Sequence, residues 1–472
     1  MTLLRSALLA FAVCALVSPG NFGTIDTVAR LQVARWIRLG EPPAREFGLI
    51  GKNGRRYPWY GIGQSLVLLP FDALADATVA PVLRRAGFDA EKQRQGSETA
   101  IAFLMQGTLT TMALLLSYRL LLSFGFTAFA SAAGSLSMLF ATTMLQYVQS
   151  AQENLLLLVL ALAALDSVRR GRFAVAGAAC GFAILVRLPS LLDTALIASL
   201  ALLWGAEARR FFRGFLPPVV LAVLIDRWYQ WLRFGNVLGT YADLIRRQLR
   251  NPDSPAGFPF SYPFWKGVLG TLFSADKSIV LFDPLLLVLL AVALWRWRAI
   301  ERDVRVLLAG LAALLLAYCA FYARWYSFGG EVSWGHRFTT LPVHLLCLFA
   351  IPLLLMYGPK LLWGIVCASI VLQIASTAIS PQLEYQQKFK GLGNAVIWNR
   401  AVNLAQLATG HQDPARIAGI PREWTSLYYF PFQLRFHFPA LARWAIAAWL
   451  VCPVFPILLS GRILAGREGF GG

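Results

Sequence analysis

Charged residues are scarce in this chain. Asp, Glu, Lys and Arg make up 14% of its 472 residues, whereas about 25% is usual in soluble domains. Hydrophobic residues reach 57%, and apolar runs of about 20 residues, enough to cross a bilayer as a helix, recur along the chain. The alternating segments of a transmembrane barrel are missing. The sequence therefore predicts an all-α, polytopic membrane protein with about 12 transmembrane helices.

Residues and motifs that mark many soluble enzymes and metal proteins are also missing. The six cysteines have no CxxC spacing, which argues against a disulfide framework or a zinc site. The four histidines are scattered, so no metal ligands are predicted, and a divalent cation is left open as a cofactor. No P-loop, GxGxxG, GxSxG or HExxH is present. The chemistry must come from polar residues at the membrane boundary.

The positive charge is distributed among short loops. The formal net charge is +19, but no basic domain stands apart from the apolar runs, so membrane lipids are expected as partners and nucleic acid is not. Three short basic loops lie at 169–172, 209–213 and 296–305. The positive-inside rule places them in the cytoplasm. The long segments 20–98, 228–276, 323–337 and 380–440 then lie outside.

This topology depends on two doubtful segments. The first 20 residues are interpreted as a transmembrane helix, with a signal peptide as the alternative. The apolar segment 61–83 is interpreted as interfacial or re-entrant, because a further crossing would put all three basic loops outside. No internal repeat is visible. We expect a catalytic module at 1–360, whose first outer loop is 20–98, and C-terminal helices with the outer loop 380–440 at 361–472.

Two acidic residues at the outer boundary are candidates for catalysis. Asp26 follows the first apolar run, and Arg30 lies four residues later on the same face of a predicted amphipathic helix. A carboxylate at this place can act as a general base toward a hydroxyl, or can merely cap a helix or pair with Arg30. Glu153 begins another predicted helix, where the helix dipole favours an anion.

Basic residues in outer loops are candidates for binding a phosphate group, since positive charge outside is unusual. Lys52, Arg55 and Arg56 precede Tyr57, and Lys277 precedes an apolar run. The loop 323–337 holds Glu331, His336 and Arg337. The plainer alternatives are lipid contact for the first group and a Glu331–Arg337 ion pair in the loop. Arg187, inside an apolar run, is a functional candidate or a snorkelling side chain.

Taken in order, five stretches resemble the C-type (GT-C) superfamily of membrane glycosyltransferases, which includes the protein O-mannosyltransferases and the lipid A aminoarabinose transferase. They are GTIDTVARLQVARW, YPWYGIGQSLVLLPF, RFGNVLGTY, LGTLFSADKSIVLFDPLLL and SFGGEVSWGHRFTTLPVHLL. The resemblance covers about residues 1–350 and implies juxtamembrane helices in the first outer loop. His336 stands where Pro is common in that superfamily.

The resemblance implies inverting transfer of a sugar from a polyprenyl-phosphate donor to an acceptor hydroxyl. Asp26 would be the base and Glu153 the second acidic residue. The substrate-binding residues would be Arg30, Lys52, Arg55, Arg56, Tyr57, Lys277, Glu331, His336 and Arg337. The acceptor is left open among a glycolipid, a polymer and a protein. The expected location is a bacterial inner membrane, with the site on the periplasmic face.

Two other functions are considered. A lipid or solute transporter would need polar residues at the middle of the bilayer, whereas the candidates above collect at one face. An enzyme of the O-antigen polymerase or ligase type would use a large outer loop that carries Arg and His. The 380–440 segment, with Arg400, His411, Arg416 and Arg422, keeps that alternative open.

Overall fold

The first part of the molecule is helical apart from one small hairpin. The computed structural model describes residues 1–44, 48–393, 395–436 and 438–465. Two short antiparallel strands, β1 (Leu49–Ile50) and β2 (Arg56–Tyr57), form a two-stranded sheet. The first helices are α1 (Leu3–Val17), α2 (Ile25–Leu39), α3 (Gly63–Arg85) and α4 (Ala90–Ser123).

The middle and C-terminal parts contain helices of very different lengths. The middle helices are α5 (Ala128–Phe140), α6 (Met144–Gln149), α7 (Glu153–Arg169), α8 (Phe173–Val186), α9 (Leu191–Leu203), α10 (Ala208–Phe234), α11 (Tyr241–Leu249), α12 (Phe264–Phe273), α13 (Ile279–Phe282), α14 (Leu285–Arg296), α15 (Arg302–Tyr322) and α16 (Thr340–Tyr357). The C-terminal helices are α17 (Trp363–Ala378), α18 (Pro381–Phe389), α19 (Val396–Thr409), α20 (Pro414–Ile417), α21 (Phe430–Gln433), α22 (Pro439–Val451) and α23 (Val454–Ala465). Short 3₁₀ turns lie at Leu188–Ser190, Trp297–Ala299, Arg337–Thr339, Lys360–Leu362 and Leu434–Phe436.

The predicted class, an all-α polytopic membrane protein, is confirmed. Within the described residues, six helical stretches are long and apolar enough to cross a membrane, and four shorter helical stretches are also apolar. The total of about 12 spans stays a prediction. Helices of this composition bury their backbone polar groups within themselves, which a hydrocarbon environment requires.

The helices differ in how deeply they are buried. The stretch Arg337–Tyr357, which contains α16, is the central one, with 89% of its apolar window buried, and it packs against α5, α14 and α15. By contrast, 6% of the window in Pro439–Ala465 is buried. Such an exposed apolar surface suits contact with lipid rather than with water.

Helices α2 and α3 form a pair that is held by charge. Asp72 of α3 is fully buried and accepts hydrogen bonds from Arg35 (3.0 Å) and Arg38 (2.6 Å) of α2. The predicted amphipathic helix after Asp26 is confirmed as α2. Helix α3 continues through Pro70 and Pro81, so the re-entrant alternative for 61–83 is wrong. The interfacial placement of α3 stays a prediction.

Two predicted continuous spans are interrupted. The segment 126–145 ends its first helix at Phe140, and the segment 277–296 breaks at Asp283–Pro284. The two breaks meet, because the backbone N–H and the hydroxyl of Thr143 donate to the Asp283 carboxylate at 2.6 and 3.0 Å. The side chain of Asp283 thus satisfies one backbone N–H, that of Thr143, at the interruption of the helix.

The C-terminal part packs against the rest of the chain. Helix α17 contacts α5, α6 and α14, and α23 contacts α1 and α5. Phe430 N–H donates to the Ser18 carbonyl at 2.7 Å, and the Trp449 indole donates to the Leu16 carbonyl at 2.9 Å. The segment 380–440 therefore lies against the same end of α1 that leads into α2. The predicted division at residue 360 stays an organisational prediction.

Candidate active site

Two carboxylates and two arginines form one connected cluster. Arg337 Nη2 donates to Asp26 Oδ2 at 2.6 Å and to Glu153 at 3.0 Å (Oε1) and 3.1 Å (Oε2). Arg30 Nη1 donates to Glu153 Oε2 at 3.0 Å. The Tyr60 hydroxyl donates to Asp26 Oδ1 at 2.6 Å, and the Arg30 guanidinium lies 4.3 Å from the centre of the Tyr60 ring. The structure thus brings together four residues predicted separately from the sequence, and adds Tyr60.

Both carboxylates lie in the first turn of a helix. The N-cap of α2 is Thr24, whose hydroxyl accepts from the Asp26 N–H, and Asp26 is the second residue of the helix. Glu153 is the first residue of α7. The partial positive charge at a helix N-terminus stabilises an anion there. The alternative in which Asp26 is itself the cap is wrong.

The ion pairs differ from the local ones considered in the sequence. Arg30 pairs with Glu153, which is 123 positions away, rather than with Asp26. Arg337 pairs with Asp26 and Glu153 rather than with Glu331. Both arginines therefore join helices that are distant in the chain. Ion pairs of this kind are expected in an organised functional site rather than on the surface, where ion pairs contribute little to the stability of the fold.

Hydrogen bonds around one backbone group hold the cluster in place. The Ala151 carbonyl accepts from the hydroxyl of Thr27 on α2 at 2.6 Å and from Gln64 Nε2 on α3 at 2.8 Å. The Ala151 N–H donates to the Phe22 carbonyl at 3.0 Å. Beside it, Asn154 Nδ2 donates to the Arg337 carbonyl at 2.8 Å. The two acidic residues and Arg337 are thereby fixed relative to one another.

The two carboxylates have different environments. Burial by itself would raise the pKa of Glu153, but the charges of Arg337, Arg30 and Arg187 hold it below its usual value. Its side chain is 4% exposed, whereas that of Asp26 is 14% exposed. Burial and the charge of Asp26 raise the pKa of Tyr60, so its hydroxyl stays a donor. Asp26 is the more accessible carboxylate, and Glu153 is a fixed, ionised partner.

Arg187 faces the same cluster. It follows the last residue of α8, and its charge contributes to the lowered pKa of Glu153. Its Nε and Nη1 atoms are buried and have no hydrogen-bond partner among the described residues. A buried guanidinium with unused donors is suited to an anion. The sequence signal for Arg187 was a single charge inside an apolar run.

Arg233 was missed as a site residue, and it supports the irregular segment after β2 that carries Tyr60. It is 2% exposed and donates from Nη1 to the carbonyls of Pro58 and Tyr60. Its guanidinium also lies 3.9 Å from the centre of the Tyr229 ring. The only sequence signal was its place in the aromatic stretch WYQWLRFG, which gives no hint of these partners.

The predicted basic loop forms the exposed hairpin and does not join the cluster. Lys52, Arg55 and Arg56 are exposed. Lys52 Nζ lies 3.4 Å from the centre of the Trp231 ring, and Arg56 donates to the Gly48 carbonyl at 3.3 Å. Tyr57 is buried, with its hydroxyl accepting from Asn53 at 2.9 Å. Binding of an anionic head group by this hairpin stays a prediction.

Lys277 and His336 serve the loop 331–335 rather than the cluster. Lys277 Nζ lies 2.8 to 3.2 Å from the carbonyls of Glu331, Ser333 and Gly335, so its protons are used inside the protein. Burial and the charge of Lys277 lower the pKa of His336 to about 3, which makes the ring neutral. Both residues are thus engaged inside the protein, and their predicted phosphate-binding roles stay predictions. Glu331 takes part through its backbone carbonyl.

The acidic pair does not fit a divalent cation in this arrangement. Arg337 Nη2 already lies within 3.1 Å of both carboxylates, and a cation would have to displace it. No group of three or more His, Cys, Asp and Glu residues is arranged to hold a metal within the described part of the chain. The dependence on a metal stays a prediction.

The C-terminal outer segment uses its most prominent arginine internally. Arg400 is 2% exposed and forms two hydrogen bonds, of 2.7 and 2.9 Å, with the buried carboxylate of Glu384. Arg416 donates to Asn399 at 3.0 Å, and His411 is exposed. The guanidinium groups of Arg400 and Arg416 are thus engaged by neighbouring side chains of the same segment, so the geometry offers no support for a polymerase or ligase centre there.

The comparisons with known proteins point to membrane glycosyltransferases. Residues 95–322, slightly less than half of the chain, match the family model of glycosyltransferase family 87. The predicted resemblance to an integral membrane glycosyltransferase is thereby confirmed. The matched part contains Glu153, Arg187 and Lys277, while Asp26 and Arg337 lie outside it.

The chain is also similar to one solved structure, that of ArnT from Cupriavidus metallidurans bound to undecaprenyl phosphate. The sequence identity is 17% and the TM-score is 0.43, and the alignment covers 98% of this chain and 77% of the other. No curated protein matches this chain.

Proposed function

We propose that this protein transfers a sugar from a polyprenyl-phosphate donor to an acceptor hydroxyl at the extracytoplasmic face of the membrane, with inversion at the sugar carbon. The observation that carries the proposal is the position of Asp26. It is the more accessible of two helix-terminal carboxylates that share Arg337, in a chain that matches a glycosyltransferase family model.

The donor class follows from the chemistry available at the site. The sequence has no motif for a nucleotide phosphate, and the molecule is built from apolar helices whose surface suits a lipid chain. In the cluster, Asp26 and Glu153 offset the charges of Arg30 and Arg337. Arg187 adds a further positive charge with two unused donors. A lipid-linked phosphate is the anion that such a site at a membrane boundary would hold.

Asp26 is the proposed general base. The acceptor O–H proton passes to Asp26, the acceptor oxygen forms a bond to the anomeric carbon, and the bond from that carbon to the phosphate oxygen breaks. The phosphate leaves with the electron pair, stabilised by the arginines. A single displacement of this kind inverts the anomeric centre. Glu153 keeps Arg30 and Arg337 in place and is too deeply buried to take the proton.

The arrangement of charges along the helices supports an extracytoplasmic site. Helix α7 begins at Glu153 and ends at Arg169, and α8 returns from the basic loop to Arg187. Helix α10 carries the basic residues of 209–213 in its first two turns and Arg233 in its last turn. The cluster thus lies at the opposite helix ends from the basic loops, which the positive-inside rule assigns to the cytoplasm. In a bacterium this would be the periplasmic face of the inner membrane.

The first test uses the full chain in nanodiscs with a panel of radiolabelled polyprenyl-phosphate sugars. Asp26→Asn should lower donor turnover by at least about a hundredfold, the usual contribution of a general base. The matched control is Asp253→Asn, which changes an exposed outer-segment Asp and should leave turnover unchanged. Wild-type turnover that survives Asp26→Asn would remove Asp26 as the base. Lack of turnover of every donor by the wild type would refute the proposed reaction.

A further inference from the structure

Lys277 is a buried residue that has no part in the reaction described so far. It lies between α12 and α13 and is 9% exposed. Its Nζ lies within hydrogen-bond distance of the carbonyls of Glu331 (3.0 Å), Ser333 (2.8 Å) and Gly335 (3.2 Å), and of the Ser333 hydroxyl (2.9 Å). An ammonium group has three protons to donate. These acceptors therefore use all of them.

A buried ammonium group is a costly way to fill space. Removal of its charge from water lowers stability unless strong partners replace the water, and an apolar side chain of similar length would fill the same volume at a lower cost. In this arrangement the charge gathers the carbonyls of alternate residues, 331, 333 and 335, around one atom. The lysine therefore determines the path of the loop backbone in addition to its packing.

The loop fits closely around the Lys277 side chain at one point and around Arg337 at the next. A Cβ atom at Gly329 would lie 2.5 Å from Lys277 Cγ, so a larger residue has no room there. Gly330 has a φ of +78°, and a Cβ atom on it would lie 2.8 Å from Arg337 Cβ. The Arg337 N–H donates to the Gly329 carbonyl at 2.9 Å. The loop 329–337 is thus closed by its own backbone, with Lys277 packed against its start and Arg337 at its end.

Other side chains of the loop pack on the helices that flank Lys277. His336 Nε2 lies 3.1 Å from the hydroxyl of Thr271 on α12. The Trp334 ring packs edge-on against Phe282 of α13, with ring centres 4.7 Å apart. These contacts hold the side chains of the loop, whereas Lys277 holds its backbone. Loss of the ammonium group should therefore shift the loop locally without detaching it from the helices.

The position of the loop matters because Arg337 must satisfy two partners at once. Its Nη2 lies 2.6 Å from Asp26 Oδ2 and 3.0 Å from Glu153 Oε1. Gly335, whose carbonyl accepts from Lys277, is only two positions before Arg337 in the chain. A change in the loop path is therefore passed directly to the guanidinium group. Misplacement of a group in an active site by about 1 Å can lower the rate about a hundredfold.

We infer that Lys277 is a positioning residue of the proposed transfer: through the backbone of the loop 331–335 it places the Arg337 guanidinium between the two carboxylates. The inference rests on the proposed function and adds to it a residue that acts through Arg337. A direct contact with the donor phosphate is the alternative role of Lys277, and it predicts a different effect on the affinity for the lipid.

The test measures turnover of a radiolabelled polyprenyl-phosphate sugar by the full chain in nanodiscs, together with the equilibrium affinity for undecaprenyl phosphate. Lys277→Met keeps the length of the side chain and removes the ammonium group. It should lower kcat at least about tenfold and change the affinity for undecaprenyl phosphate less than about twofold. Lys277→Gln, whose amide can donate two protons, should restore part of kcat. The control Lys266→Met changes an exposed lysine of α12 and should leave both values unchanged.

A double-mutant cycle distinguishes positioning of Arg337 from general support of the fold. In an Arg337→Lys background, which keeps a positive charge, Lys277→Met should add less than about a twofold loss in kcat, because the guanidinium group it positions is already absent. An undiminished further loss in that background would overturn the inference. An affinity for undecaprenyl phosphate that falls as far as kcat would also overturn it, since Lys277 would then be a phosphate contact.

Thermal unfolding of each variant is the check on folding. If Lys277→Met does not fold, Lys277→Gln takes its place in the cycle. If the Arg337→Lys background is inactive, a lower kcat of Lys277→Gln at an unchanged unfolding temperature supports positioning, and a loss that follows a lower unfolding temperature overturns it. Lack of turnover of every donor by the wild type would refute the proposed reaction itself. Turnover that depends on Asp26 but is unchanged in both Lys277 variants would overturn this inference alone.

Discussion

Arg337 sets the geometry of the candidate site at the scale of single residues, since its Nη2 lies within hydrogen-bond distance of both Asp26 and Glu153. The arrangement keeps the carboxylates close without leaving their charges uncompensated. The Asp26 oxygens are engaged by Tyr60 and Arg337, so an arriving hydroxyl must use a remaining lone pair or displace a donor. Glu153 offers no such access because it is buried between two arginines.

The arginines differ in how they would bind the donor phosphate, since two donor atoms of Arg187 are buried whereas Arg55 and Arg56 are exposed. The salt dependence of donor binding distinguishes a buried contact from an exposed one. Arg187→Gln should weaken binding of undecaprenyl phosphate at least about tenfold, at low and high salt alike, because its donors are buried. Arg55→Ala with Arg56→Ala should weaken donor binding more than acceptor binding. That loss should shrink in about 1 M salt, because the two side chains are exposed and screened.

The measurement is the equilibrium affinity of the purified protein for undecaprenyl phosphate at two salt concentrations. Thermal unfolding of each variant serves as the control for folding. Unchanged affinity in the Arg187→Gln variant would remove Arg187 as a donor ligand. Unchanged affinity in the double variant at low salt would mean that the hairpin contacts only bulk lipid.

At the scale of elements, the pairing of α2 with α3 determines where Asp26 lies. Helix α2 is short and carries three arginines, of which Arg30 faces Glu153 while Arg35 and Arg38 face Asp72 of α3. Asp72 thus has two cationic partners across the interface. Helix α3 in turn packs along α4 and contacts α8. The first turn of α2 is held against α7 through this chain of contacts.

Asp72→Asn should therefore loosen α2 as well as lower stability. Removal of one charge from a buried, doubly paired site should cost about 1 to 3 kcal/mol of the free energy of unfolding, and donor turnover should fall because Asp26 loses its fixed position. Asp76→Asn is the matched control, since the Asp76 side chain is 38% exposed and surface pairs contribute about 0 to 1 kcal/mol. Thermal unfolding in detergent and turnover in nanodiscs are the measurements. Equal effects of the two substitutions would contradict this role of Asp72.

At the scale of the whole molecule, the polar residues of the candidate site and the basic loops lie at opposite ends of the helices. The candidate cluster and the hairpin are both formed by outer segments of the predicted topology, whereas 169–172, 209–213 and 296–305 are cytoplasmic in it. This separation argues against a transporter, which would need polar residues at mid-membrane depth. It also makes the sidedness of the molecule testable without any substrate.

Ala90→Cys, at the exposed start of α4, should react with a membrane-impermeant maleimide added from outside intact cells. Cys367 and Cys452 are exposed in the protein, so both are replaced by Ser in the background. Arg209→Cys, in a predicted cytoplasmic loop, should react only after permeabilisation. The reverse labelling pattern would mean that the outer segments of the predicted topology, and with them the candidate site, face the cytoplasm.

The sequence alone determined the class of the protein and the identities of the main charged residues. Its apolar runs dictated an all-α membrane protein because lipid leaves backbone groups no other partner, and its few charges outside those runs were easily noticed. Asp26, Glu153, Arg30 and Arg337 were all predicted as site residues before any fold was known. The local pairs considered as alternatives, Asp26 with Arg30 and Glu331 with Arg337, were wrong.

The tertiary structure decided which of these residues meet. Arg30 and Glu153 are 123 positions apart in the chain, and Arg337 and Asp26 are 311 apart, so no local periodicity relates them. Lys277 has the charge expected of a phosphate ligand. In the structure its Nζ donates to backbone carbonyls that only the folded loop 331–335 brings close to it. A sequence pattern indicates which residues are neighbours along one helix. A site is formed where several helices pack together, and the pattern does not show which helices these are.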